Sequence, residues 1–282
     1  MLGKRRRTSE LIESKIFEFD KKLKKNLAKG TKLGDIVIED IKRNELANLV
    51  YYIISKGKLF IKIYVDIIKY FLSKYTKYSG FEGDKDFFLR KLSMSMNAEK
   101  HPKNRIIFRK NDIGDRFYLI LRGSVSVVIV KERYELLTPR EYNIYLERLI
   151  LYKEYQLIKL VFTYPNKIQA DINLLEKIHR DILSQSEILN EDNNNIESIS
   201  ANDFVQRIEP IINYKIMEER VKVRIATYQI VATLKEGQTF GEIALSRNEK
   251  EERRRTATII TDTECLMGTI LTSLHFFQFI PF

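Results

Sequence analysis

The spacing of apolar and polar residues separates a helical N-terminal part from a later part that mixes strands and helices. Residues from about Ser9 to Lys100 are typical of helices. The clearest predicted helix is Lys58–Tyr75, in which four charged residues at steps of four, four and three form one polar stripe. Most of its remaining circumference is apolar, so either its own chain or a partner has to cover it from more than one side.

From Arg105 onward the pattern changes to short β-prone runs separated by Gly, Asn and Asp. Ile106–Phe108, Phe117–Leu121 and Val125–Val130 predict successive strands of an all-β unit. Asn111 stands in the turn after the first run, and asparagine tolerates the left-handed backbone that such turns often need.

Past Glu132 the helical pattern returns and interrupts the β unit. Thr138 and Glu141 flank a proline in the arrangement of a capping box, which predicts a helix start. Helices are predicted over three ranges: Pro139–Phe162, Asp171–Leu189 and Ser200–Arg207. Strand character resumes over four ranges: Val221–Ile225, Tyr228–Leu234, Thr258–Ile260 and Cys265–Leu271.

Composition limits the classes of protein that this chain can represent. A hydrophobic fraction of 44% and a charged fraction of 31% are typical of a soluble globular protein rather than of a disordered one. The segment Leu49–Leu72 is the best candidate for a membrane span, but several charged residues interrupt it, so we expect no span. The single cysteine, Cys265, fits a reducing compartment and predicts a cytoplasmic protein.

The net charge and the number of metal-binding residues limit which partners and ligands we expect. Lys plus Arg (49) minus Asp plus Glu (38) leaves a net charge of +11, which attracts acidic surfaces of any kind. No RNA-binding strand signature accompanies the aromatic residues, so nucleic acid is disfavoured. One cysteine and three widely separated histidines offer no set of zinc ligands, so no metal is expected.

The segment Phe240–Thr258 combines residue types that suit a ribose phosphate. Gly241 lets a ligand approach the backbone closely, and the small and apolar residues after it suit a helix start with free amide groups. Glu242 is a good acceptor for a sugar hydroxyl. Arg255, further along, can hold a phosphate through paired, charge-assisted hydrogen bonds.

Two stretches of the sequence resemble the cyclic-nucleotide-binding domain family, the barrel module of protein kinase A regulatory subunits and protein kinase G. The stretch IIFRKNDIGDRFYLILRGSVSVV resembles the first hairpins of the family. FGEIAL followed by RTATI resembles its phosphate-binding cassette, often written FGELAL and PRAATV. The resemblance implies an α+β fold: a jelly-roll-like β-barrel with an N-terminal helical region and inserted helices.

The resemblance also implies roles for the matching positions. Glu242 would accept the ribose 2′-hydroxyl, and Arg255 would pair with the cyclic phosphate. Backbone amides near Ile243, Ala244 and Ala257 would complete the anion site beside Gly241.

Two features of the cassette bear on its ligand. Thr256 follows the arginine directly, and in the family a threonine there is associated with cGMP, whereas alanine is common in cAMP sites. Glu242 and Arg255 are 13 positions apart (255 − 242), which is longer than in the family. Arg255 would therefore either still reach the phosphate or point to solvent, and Arg254 or Arg253 could take its place.

Two functions follow as hypotheses. The first is a non-enzymatic regulatory sensor that binds cAMP or cGMP as its ligand, with residues 1–100 as a helical region and 101–282 as a barrel interrupted at about 132–220. The second is a structural subunit that keeps the fold and binds nucleotide weakly or not at all. Its +11 charge suits protein partners in an acidic cytoskeletal lattice, such as that of a cilium.

Overall fold

The computed structural model describes residues 43–55, 62–75, 90, 92–163, 198–241 and 253–271. Eight strands lie within these ranges: β1 Asn97–His101, β2 Ile106–Phe108, β3 Arg116–Arg122, β4 Ser124–Leu137, β5 Val221–Lys235, β6 Thr239–Phe240, β7 Thr258–Thr261 and β8 Cys265–Leu271. The helices that the structure describes along their whole length are α1 Arg43–Ser55, α2 Lys62–Tyr75, α3 Pro139–Leu151, α4 Tyr155–Thr163 and α5 Ala201–Gln206.

The strands form two antiparallel four-stranded sheets. The first sheet has the order β1-β8-β3-β6, and the second has the order β2-β7-β4-β5. Side chains from both sheets meet in one apolar cluster, to which β3, β6 and β8 contribute from one side and β4 and β7 from the other. The α+β class with a jelly-roll-like β unit and inserted helices, predicted from the sequence, is therefore confirmed.

Strand β3 is buried on both faces, which explains its uninterrupted apolar sequence. Tyr118 and Ile120 point into the cluster between the sheets. Phe117, Leu119 and Leu121 point the other way, into a second cluster. Because successive side chains of a strand alternate between faces, a strand with apolar cores on both sides has to be apolar throughout.

Helices α1 and α2 supply most of that second cluster. Val50 and Ile53 of α1 and Ile68 and Phe71 of α2 are buried there against the outer face of the first sheet. The predicted apolar helix could be covered by its own chain or by a partner. In the part of this helix that the structure describes, its own chain covers the apolar side chains.

The inserted helices cover the outer face of the second sheet. The predicted capping box is present: the Glu141 amide donates to Thr138 Oγ1 at 3.2 Å, and the Thr138 amide donates to Glu141 Oε2 at 2.9 Å. The buried Tyr145 hydroxyl donates to the Ala226 carbonyl at 2.7 Å and accepts from the Ala226 amide at 3.1 Å. Helix α3 is therefore fixed to β5 by polar contacts as well as by apolar packing.

Three local predictions differ from the structure. The helical pattern was expected past Glu132, but β4 continues to Leu137 because β5 pairs with it along its whole length. The predicted helix Pro139–Phe162 is two helices, separated where Lys153 takes a left-handed φ of 55°. Residues 97–101, expected within a helical region, form β1, which pairs with β8. The predicted helix at 171–189 lies outside the described residues.

Candidate functional site

The segment Arg253–Arg255, here called the arginine segment, is held against the turn Asn111–Gly114 by backbone hydrogen bonds. The Asn111 amide donates to the Arg255 carbonyl at 2.8 Å, and the Arg255 amide donates to the Asp112 carbonyl at 2.8 Å. The Gly114 amide donates to the Arg253 carbonyl at 2.6 Å. Asn111 has φ 72°, as its residue type predicted. The turn therefore fixes where the arginine segment begins.

The Arg255 side chain points into the protein. The residue is 3% exposed. Its Nη1 donates to the Gly241 carbonyl at 3.0 Å, and its Nη2 donates to the Arg116 carbonyl at 2.8 Å. The guanidinium carbon lies 4.2 Å from the centre of the Phe108 ring. The alternative that Arg255 points to solvent is excluded.

The guanidinium group of Arg255 is only partly satisfied. Its Nε is buried and has no hydrogen-bond partner among the described residues. The two acceptors of its other nitrogens are neutral carbonyl oxygens. Burial is the main influence on this group, and it lowers the pKa of Arg255, because removing water disfavours the charged form. An anion bound here would compensate the buried charge.

Gly241 makes room for Arg255. It has φ 91°, and a Cβ atom at this position would lie 2.6 Å from Arg255 Nη1 and 3.2 Å from the Arg116 carbonyl oxygen. A positive φ is also unfavourable for residues with a side chain. Glycine at this position is therefore required by both the backbone and the guanidinium group.

Three aromatic rings surround the base of the site. Tyr118 and Phe240 stack with ring centres 4.8 Å apart, and Phe108 lies 5.9 Å from each of them. Burial raises the pKa of Tyr118, so its hydroxyl stays protonated. Neither Phe108 nor Tyr118 was predicted from the sequence to belong to the site. Both lie within the stretch that resembles the family, but only the structure shows that they contact the guanidinium group.

The carbonyl that accepts from Arg255 Nη2 belongs to a residue with its own charged network. The Arg116 side chain donates to Glu99 Oε1 at 2.6 Å and to Asp115 Oδ2 at 3.0 Å. His101 Nε2 lies 3.0 Å from Glu99 Oε2. The hydrogen bond from His101 and the contact with Arg116 lower the pKa of Glu99. This network holds Arg116 at the edge of the site.

The structure describes part of the predicted cassette. It brings Gly241 and Arg255 into contact, leaves Thr256 exposed and half-buries Ala257. Glu242, Ile243 and Ala244 lie outside the described residues. Arg254, one of the two proposed substitutes, is exposed, and its Nη1 donates to the Asn111 carbonyl at 3.0 Å. Its role is thus to contact the turn, while Arg255 occupies the interior.

Neither a cluster of metal-binding side chains nor a membrane-spanning helix occurs in the described part of the chain. No group of three or more His, Cys, Asp or Glu side chains there could hold a metal ion. Among the helices described, none has both the length and the apolar character to cross a bilayer.

Comparisons with known proteins give matches only among solved structures. No family model matches the chain, and no curated protein matches it. The cAMP-bound regulatory domain of protein kinase A from Toxoplasma gondii is similar with 12% identity and a TM-score of 0.34, over 74% of this chain and 42% of that one. The regulatory subunit of a cAMP-independent protein kinase A from Trypanosoma brucei has 13% identity and a TM-score of 0.35, over 77% and 41%.

The catabolite activator protein of Thermus thermophilus is also similar, with 10% identity and a TM-score of 0.31, over 70% of this chain and 48% of that one. The chain thus spans less than half the length of each of these three structures. Whether the site binds a ligand has to be judged from its own contacts.

Proposed function

We propose that this chain is a non-enzymatic regulatory protein that binds a cyclic nucleotide, with Arg255 holding the phosphate. One observation carries the proposal: the guanidinium group of a residue that is 3% exposed has a buried Nε without a hydrogen-bond partner among the described residues. Burying a charged group without compensation is costly, so such a group is typical of a site that an anion completes.

The surroundings of Arg255 favour a nucleotide over a simple inorganic anion. Gly241, which contacts the guanidinium group, directly precedes Glu242, whose carboxylate is suited to a ribose hydroxyl. In the proposed complex, Glu242 accepts from the 2′-hydroxyl, and amides near Ile243, Ala244 and Ala257 bind the phosphate oxygens. A cyclic nucleotide carries both of these groups, the ribose hydroxyl and the phosphate.

Calorimetric titration of the native chain with cAMP and with cGMP tests the proposal. We expect binding of at least one nucleotide, and Arg255→Gln is expected to weaken it by about one to two orders of magnitude, because a charge-assisted hydrogen bond contributes about 1.5–3 kcal/mol. The nucleotide bound more tightly decides whether Thr256 marks a cGMP site.

Arg140→Gln is the matched control, since it removes an exposed arginine that lies on α3 and not in the arginine segment. Its affinity is expected to stay within about threefold of the native value, because exposed charges contribute little. The proposal is wrong if the native chain gives no heat with either nucleotide at millimolar concentration, or if Arg255→Gln binds as tightly as the native chain.

A separate observation favours the second candidate, a structural subunit. The loop between α5 and β5 displays three exposed apolar residues: Ile211 at 57%, Tyr214 at 81% and Met217 at 98% exposure. The loop is nevertheless fixed, because the Asn213 amide and Arg220 both donate to the buried carboxylate of Glu141. A fixed loop with exposed apolar side chains is suited to contact another protein.

Sedimentation of the purified native chain distinguishes this candidate. We expect self-association or aggregation that rises with concentration, and we expect Tyr214→Glu and Met217→Glu to reduce it because both place charge on the exposed surface. Exposed Glu147→Lys, on α3, is the control for a simple change of surface charge. A monodisperse native monomer would argue against a structural subunit.

A further inference from the structure

The inserted helices contact the same turn that fixes the arginine segment. Gln156, in the first turn of α4, accepts a hydrogen bond from Asn111 Nδ2 at 2.8 Å through its Oε1. Its Nε2 donates to the Lys110 carbonyl at 3.4 Å. One side chain of the insertion therefore contacts two neighbouring residues of the first hairpin.

Asn111 is also a direct partner of Arg255. Its amide donates to the Arg255 carbonyl at 2.8 Å, and its own carbonyl accepts from Arg254 Nη1 at 3.0 Å. Its φ of 72° lies in the left-handed region, which asparagine tolerates, and the turn is also held by contacts with neighbouring elements. The side-chain bond to Gln156 is such a contact, and it orients the amide that holds Arg255.

We propose that Gln156 is a positioning residue for the arginine segment, so that the inserted helices control the geometry of the anion site. Gln156 acts through Asn111 and does not touch Arg255. The consequence for nucleotide affinity rests on the proposed function, whereas the effect on the arginine segment does not.

Any coupling between the position of the inserted helices and anion binding at Arg255 has to be reciprocal. If the position of α4 affects how well Arg255 binds an anion, then occupancy of the site has to affect the position of α4 by the same free energy. A partner that binds the inserted helices would then change nucleotide affinity, and nucleotide would change affinity for that partner.

Residue-resolved amide hydrogen exchange on the full chain without nucleotide tests the positioning role. In Gln156→Ala we expect the amides of Asn111, Gly114 and Arg255 to exchange about two- to fivefold faster, because a solvent-exposed hydrogen bond is lost. Gln156→Glu keeps an acceptor for Asn111 Nδ2 and is expected to restore native exchange. Glu147→Ala, at an exposed position of α3, is the control and should leave these amides unchanged.

Titration of the same variants with cAMP and cGMP adds a functional readout. Gln156→Ala is expected to lower the nucleotide affinity by about two- to fivefold, and Gln156→Glu is expected to restore it. If the native chain binds neither nucleotide while the exchange pattern holds, the proposed function fails and the positioning role stands.

Two exchange results would overturn the positioning role. One is unchanged exchange at Asn111, Gly114 and Arg255 in Gln156→Ala. The other is faster exchange spread evenly over both sheets, which would show that Gln156 only contributes to overall stability.

Discussion

Replacing Gly241 by alanine is expected to displace Arg255 and to weaken nucleotide binding by about one to two orders of magnitude. The added Cβ would lie 2.6 Å from Arg255 Nη1 and 3.2 Å from the Arg116 carbonyl oxygen, so the guanidinium group has to move. A side chain at φ 91° adds strain of about 1–2 kcal/mol, so the free energy of unfolding should fall as well. Calorimetry and urea unfolding measure the two effects.

Gly237→Ala separates backbone strain from the contact with Arg255. Gly237 has φ 82° and lies in the turn between β5 and β6. Its replacement is expected to lower stability by a similar amount but to leave nucleotide affinity unchanged. Equal losses of affinity in the two variants would show that Gly241 has no particular role in seating Arg255.

Removing the Glu154 side chain is expected to lower the free energy of unfolding by about 3–5 kcal/mol. Glu154 forms a buried ion pair with Arg207, in which the two side chains are 8% and 6% exposed. Its Oε2 also accepts from the Tyr228 hydroxyl at 2.5 Å. Glu154→Ala leaves the buried charge of Arg207 without this carboxylate, and an uncompensated charge in the interior is costly. Urea unfolding should show a lower midpoint with an unchanged m-value.

Glu264→Ala is the matched control for this prediction. Glu264 forms two ion pairs, each at 3.1 Å, with Lys100 and Arg122, but its side chain is 47% exposed. Water screens such pairs, so the loss is expected to stay below about 1 kcal/mol. If Glu154→Ala were no more destabilising than Glu264→Ala, the buried pair would contribute nothing beyond a surface pair.

The sequence predicted the parts of the fold that depend on local pattern. The strands around Phe117–Leu121 and Cys265–Leu271, the capping box at Thr138 and the short helix capped by Ser200 are all present. Each of these has a signal within a few residues, either an apolar run or a capping residue. They follow from steric and hydrogen-bonding preferences that act over one or two turns.

Other parts depend on partners that are distant in the sequence. The strand Asn97–His101 has no apolar alternation, and it forms because β8 supplies its hydrogen bonds. β4 runs through Leu137 for the same reason, since β5 pairs with each of its last residues. Lys153 ends a helix without glycine or proline nearby, so no local signal marked that break.

The candidate site also combines contacts that the sequence predicted with contacts that it could not predict. The motif placed Gly241 and Arg255 in one site, and the structure brings them into contact. The role of Phe108 beneath the guanidinium group could not be predicted, because 147 positions separate it from Arg255 (255 − 108). The link from Asn111 to Gln156 joins the barrel to an insertion that the family motifs do not cover.

The two-sided burial of β3 has a consequence for how the protein unfolds. This strand gives Leu119 to the cluster beneath α1 and α2, and it gives Tyr118 to the aromatic group beside Arg255. Opening either cluster would expose residues of the same strand and weaken the other. We therefore expect the N-terminal helices and the candidate site to unfold together, so that a ligand bound at the site would also protect the helices.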